Sequence, residues 1–187
     1  MSSNQTEEAA LPVEIRGALH RHLEAADIEV IFRDAGPWWL FYALLLCTGI
    51  RCDKLAVLNY HNVDRARGVL VIPEGRRRVR QIPLVPDLLE QIPGDMPLDA
   101  PLFPTLYVDI EERSLFEEEL NNNLAEPLNY MQALLGAAGR PIASLYSFTL
   151  SHNKLLEGHD LFDPDQLAIL AHIARVTLRA RRPVILN

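Results

Sequence analysis

Little in this chain suggests covalent staples or a membrane. It has only two cysteines, Cys47 and Cys52, among 187 residues. Disulfide frameworks use more cysteines at other spacings, so both read as reduced core thiols in a cytoplasmic protein. No apolar run reaches the roughly 18–20 residues that a bilayer span needs. The most apolar stretch, Trp38 to Cys47 (WWLFYALLLC), is a buried helix by length and composition. The N-terminus has no basic flank followed by an apolar block, so a signal peptide is not expected. Closely spaced Cys/His sets are also lacking. His20 with His22, and His152 with His159, do not have the spacing of a zinc site, and neither metal nor cofactor is expected.

Positive charge is scarce overall. The formal net charge is −7 and the sequence pI about 5.3, whereas phosphate-binding domains are usually basic. The arginines are, however, segregated. Arg65, Arg67, Arg76, Arg77, Arg78 and Arg80 face only Asp64 and Glu74 between residues 64 and 80, and the C-terminal part adds Arg175, Arg179, Arg181 and Arg182. A segregated basic patch can bind phosphates despite a negative total. The competing reading makes Arg76–Arg78 a solvated hairpin tip.

The length fits one domain. Residues 1–10 (MSSNQTEEAA) read as a disordered tail and 11–187 as a single domain. From Pro12 to about Arg33, apolar residues including Val13, Ile15, Leu19, Leu23, Ile28, Ile31 and Phe32 keep helical spacing. The Trp38–Cys47 helix ends at Thr48-Gly49, where glycine suits a left-handed cap. A short helix follows over Cys52–Leu58. Val69–Ile72 and Val79–Leu84 read as strands of a hairpin turning at Gly75. Asp87 is a candidate cap for a helix to Ile92. Pro93–Pro104 is loop, and Leu106–Ile110 a possible short strand. Residues 114–137 read as a long helix with a bend expected at Pro127, ended by Gly139-Arg-Pro141. Its run Glu117–Glu119 is a solvated face. Helices over 144–157 and 164–181 complete a mostly α domain with one small antiparallel sheet, an α+β class.

Three sequence blocks resemble the catalytic domain of tyrosine recombinases (phage integrases). Leu44-Leu-Leu-Cys-Thr-Gly-Ile-Arg51 is similar to the family's first arginine box, continued by Ala56-Val-Leu-Asn-Tyr-His-Asn-Val-Asp64. Gly75-Arg-Arg-Arg-Val-Arg-Gln-Ile-Pro-Leu84 resembles the hairpin whose turn carries the family's lysine. The second block, His-x-x-Arg in the family, falls on Ser144 and Ser147, with the helix ending Leu155-Leu-Glu-Gly158 in register. Leu170-Ala-His172 resembles the third block, and the family's tyrosine position falls on Arg181. The likeness spans about residues 25–182. The core-binding domain that usually precedes this domain is not expected.

The resemblance implies a tyrosine recombinase-like fold and names the chemistry that would be needed. In the family a tyrosine attacks the scissile phosphate, arginines and histidines hold the non-bridging oxygens, and the lysine protonates the leaving oxygen. Here Arg51 and His172 keep family-equivalent positions. Arg76 or Arg78 stands for the lysine, and arginine stays protonated, a poor general acid. Serines replace the His and the second Arg, and no tyrosine stands at the nucleophile position. Arg51 and His172 also have plainer readings, as a cation at a helix end and as a core histidine. Tyr146 lies beside the Ser147 position but about 100° around the helix, so it should not point where Ser147 points.

Three functions follow. The first is a catalytically inactive, DNA-binding accessory or regulator in DNA recombination, DNA integration or a mobile element, contacting DNA weakly and by its backbone. Its candidate contacts are Arg51, Arg65, Arg67, Arg76, Arg77, Arg78, Arg80, His172, Arg175, Arg179, Arg181 and Arg182. The second is a protein-interaction module reusing the fold without DNA, in which the tail 183–187 (Pro-Val-Ile-Leu-Asn) docks on a second copy or on a recombinase, the plainer reading being that it folds back on its own core. The third is an active recombinase with rearranged residues.

Overall fold

The computed structural model describes residues 20–74, 78–108 and 113–155. Their elements run in the order α1 (Ala25–Arg33), a 3-10 turn (Gly36–Trp38), α2 (Trp39–Thr48), α3 (Cys52–Ala56), a second 3-10 turn (Tyr60–Asn62), β1 (Val63–Asp64), β2 (Val69–Pro73), β3 (Val79–Pro83), α4 (Pro86–Leu89), α5 (Arg113–Ala137) and α6 (Tyr146–Leu155). This is the α+β arrangement that the element order implied. Among the described residues no single helix is long and apolar enough to cross a membrane.

The centre is α2. It is buried on nearly every side, as its almost unbroken apolar sequence requires, and α6 packs along it. Tyr42 of α2 stacks on Phe148 of α6 with centroids 5.4 Å apart, and Phe32 of α1 meets the same Phe148 edge-on at 6.5 Å. The Tyr42 hydroxyl donates to the carbonyl of Pro127 at 2.6 Å, tying α5 to the core. Helix α5 runs on through Pro127, and Glu117–Glu119 lie exposed on it.

The sheet is antiparallel in the order β1-β2-β3. Leu70 and Ile72 alternate inward along β2 and join the core, while Val69 and Val71 are only half-buried. β3 pairs with β2 from Val69↔Pro83 to Pro73↔Val79. The proline-rich loop is sewn to the chain beside β1 by backbone bonds, Leu102 N–H to Leu58 O at 2.7 Å and Tyr60 N–H to Ala100 O at 3.0 Å.

Three details correct the sequence reading. The first helix among the described residues begins at Ala25, with Glu24 as its extended N-cap residue. Residues 20–24 are not helical because tertiary partners claim them. Leu23 N–H donates to Ser151 Oγ at 2.7 Å, and Arg21 donates to the carbonyls of Pro141 (2.7 Å) and Ile142 (3.2 Å). Asp87 does not cap α4; Val85 is the N-cap residue, with Pro86 at the first helical position, where its missing N–H costs nothing. Leu106–Val108 form no strand, since Leu106 and Tyr107 donate back to Phe103 O in a turn. The expectations for residues 1–10, for Gly75, for the remainder of 11–19, for Asp109–Ile110 and for the 164–181 helix lie outside the described residues.

A buried ionic cluster holds residues 21–27 to the α5–α6 connection. Asp27, completely buried, accepts from Arg21 Nη1 at 2.5 Å and from Arg140 Nε at 2.6 Å. Its carboxylate also accepts the Glu24 N–H at 2.9 Å. Burial alone would raise its pKa. The bonds from Arg21, Arg140 and the Glu24 backbone outweigh that and hold it at about 2.

Candidate functional site

The end of α2 sets the site. Gly49 takes the left-handed conformation (φ 62°, ψ 15°) and donates its N–H to Leu45 O at 3.0 Å. Any side chain there would collide with His152, whose ring would lie 2.2 Å from an added Cβ. His152 is buried on α6 and bonds through Nδ1 to Leu46 O at 2.9 Å. A carbonyl can only accept, so Nδ1 carries the proton. Burial lowers the His152 pKa, and the ring packs as a core histidine. Thr149 Oγ1 donates to Ile50 O at 3.3 Å. Together these contacts fix the turn from which Arg51 projects, in extended backbone (φ −71°, ψ 145°) at the N-cap position of α3.

Arg51 opens onto a cleft of about 320 Å³ between three parts of the chain. The α2–α3 turn gives Arg51, and α3 gives Lys54. The hairpin gives Ile72, Glu74 and Arg80. Helix α6 gives Tyr146, Thr149 and Asn153, which stand at the i, i+3, i+7 spacing of one helix face. Arg51 grips Asp53 with two parallel bonds, Nε to Oδ1 at 3.0 Å and Nη2 to Oδ2 at 3.2 Å. Arg80 Nε lies 3.6 Å from Glu74 Oε1. Among the described residues Lys54 makes no ion pair. Tyr146 meets the ring of His20 edge-on at 5.6 Å. Three cations with a phenol, a hydroxyl and an amide can hold an oxyanion. Guanidinium suits phosphate because its fork delivers two parallel bonds.

The sequence-selected residues divide sharply. Arg51 and Arg80 line the cleft. Arg78 is exposed beside it, its carbonyl accepting the Glu74 N–H at 2.7 Å. Arg65 is turned away. It donates to the carbonyls of Leu89, Ile92 and Pro93, satisfying the end of α4. Arg67 lies at the opposite end of the hairpin, bound to Gln81 Oε1 at 2.8 Å and 3.9 Å from Asp64. Ser147 is fully buried in the core, and half-buried Ser144 bonds to His20 Nδ1 at 2.9 Å. Neither serine lines the cleft. Tyr146 points away from Ser147, as its angle on the helix implies, and together with Thr149 and Asn153 of the same helix faces the cleft. Arg76, Arg77, His172, Arg175, Arg179, Arg181, Arg182 and the tail 183–187 lie outside the described residues.

Lys54, Glu74, Thr149 and Asn153 were not singled out from sequence. The 146/149/153 spacing was a usable signal for the last two, once α6 was placed. Among the described residues no group of three His, Cys, Asp or Glu side chains is arranged to hold a metal ion. Burial raises both thiols, Cys47 to about 12 and Cys52 to about 11, so neither is a nucleophile near neutral pH. No protein-family model matches the chain, and no curated protein matches it.

Proposed function

We propose that this chain is a non-catalytic, tyrosine recombinase-like protein that binds the DNA backbone as an accessory or regulator of recombination or integration. One observation carries the reading. The first arginine box, the hairpin and the second block, far apart in sequence, contribute Arg51, Arg80 and Tyr146 to one cationic cleft. A phosphate of the DNA backbone is the oxyanion that such a cleft suits, and contact through phosphates brings affinity without base specificity. Strand transfer is not part of the proposal. From the second block the cleft receives Tyr146, Thr149 and Asn153, with no second arginine among the described residues. One missing oxyanion donor typically lowers a rate by about 10²–10³.

The test is an electrophoretic mobility shift on duplex DNA at low and moderate salt, with wild type and the Arg51→Ala/Arg80→Ala variant. Wild type should shift DNA at low salt and lose it as salt rises, since counterion release drives phosphate binding. The variant should not shift. A suicide substrate should trap no covalent adduct. Absence of any wild-type shift at low salt removes the DNA reading and leaves a protein-interaction module.

A further inference from the structure

Both cleft arginines already hold carboxylates of their own chain. Asp53 sits in the fork of Arg51 in the paired, side-on manner that a phosphate would use, at 3.0 and 3.2 Å. Glu74 lines the same cleft and faces Arg80 at 3.6 Å. These two carboxylates are close in charge and shape to the non-bridging oxygens of a phosphodiester. They also differ from the other arginine contacts nearby. Arg65 is committed to backbone carbonyls, an attachment that a ligand gains nothing by displacing.

We propose that Asp53 and Glu74 act as built-in competitors that mask the cleft, so phosphate oxyanions bind only by displacing them. The inference rests on the DNA-backbone reading above and adds a regulatory element to it. The pairs are suited to exchange. Arg51 and Asp53 are 68% and 31% exposed, and Arg80 and Glu74 are 47% and 51% exposed. Exposed pairs of this kind are weak and screened by salt, so an incoming phosphate faces a modest barrier. Lys54, without a competitor among the described residues, supplies the first attraction. Binding is therefore set by a balance between inner carboxylates and outer phosphates, and a change that draws Asp53 or Glu74 away opens the cleft.

Fluorescence anisotropy with a labelled DNA duplex at fixed low salt tests this on four proteins: wild type, Asp53→Asn/Glu74→Gln, the control Glu118→Gln/Glu119→Gln, and Asp53→Asn/Glu74→Gln combined with Arg51→Ala/Arg80→Ala. The first two variants each remove two negative charges, so a general charge effect moves them equally. Asp53→Asn/Glu74→Gln should bind about ten-fold tighter than wild type, the control within about two-fold, and the combined variant should lose the gain. Thermal melts report that each variant is folded. If wild type binds and Asp53→Asn/Glu74→Gln binds no tighter than the control, the masking idea is wrong and the DNA reading stands. A gain that survives loss of both arginines also overturns it. If no protein binds, wild type included, the DNA reading falls and takes the masking with it.

Discussion

Two arginine–carboxylate clusters in this protein use the same chemistry to opposite ends. At the clasp, Asp27 is completely buried between Arg21 and Arg140, which are 19% and 26% exposed. At the cleft, Arg51 and Arg80 stand largely in solvent with Asp53 and Glu74. Burial separates their roles. A desolvated carboxylate must keep its partners, because removing them leaves an uncompensated charge in a poor solvent. A solvated arginine can exchange its carboxylate partner for another anion at little cost. The clasp therefore joins segments more than a hundred residues apart, and the cleft is left available for a ligand.

Breaking the clasp should give the largest effect. Asp27→Ala deprives two guanidinium groups of their shared partner, and we expect a loss of about 3 kcal/mol or more in urea denaturation. The pH dependence has a definite sign. Asp27 titrates at about 2 when folded, below its ordinary 3.8. Its contribution is complete above about pH 4 and is lost as pH falls through about 2. Wild type should thus lose stability across that window more steeply than Asp27→Ala. Equal slopes in the two proteins would mean that the clasp is not ionic in the way described.

Gly49 caps α2 at the edge of the cleft, and Gly49→Ala comes next in size. The backbone there is left-handed, and the new methyl would meet the His152 ring. Strain and overpacking together should cost about 2–4 kcal/mol. A double-mutant cycle separates the two. In a His152→Ala background the collision is gone, so Gly49→Ala should cost less, about 1–2 kcal/mol. An undiminished cost would assign the whole effect to the backbone and release His152 from its part in placing Arg51.

How much of this could be read from sequence follows from how local each feature is. The α2 helix and its glycine cap were legible because ten nearly all-apolar residues followed by Thr-Gly contain their own instructions. The β2–β3 hairpin was legible as two strand-like runs, Val69–Ile72 and Val79–Leu84, on either side of a short charged link. The start of α1 was not. Leu23 keeps the same spacing as Ile28 and Ile31, but its backbone donates to Ser151, 128 positions away, and periodicity carries no trace of that bond. The site was half legible for the same reason. Arg65 and Arg80 look alike in a basic stretch, and only the fold shows one capping α4 and the other lining the cleft. Ser147 and Tyr146 are neighbours. Which of them faces inward was decided by packing of α6 on α2, where Phe148 needs Tyr42 and Phe32, and that turned Ser147 into the core.

The smallest expected effect sharpens the comparison most. Arg51→Ala/Arg80→Ala removes two guanidinium groups, as many as meet at Asp27, yet it should change stability by less than about 1 kcal/mol in urea. Both side chains are exposed, and neither donates to a backbone carbonyl among the bonds described. Their carboxylate partners are left hydrated rather than stranded. The same variant is the one expected to abolish the DNA shift, so its stability and its binding should separate. A loss near that of Asp27→Ala would show that the cleft arginines hold the fold together. Arg51 would then be a structural cation at the end of α2, and the contrast between clasp and cleft would disappear.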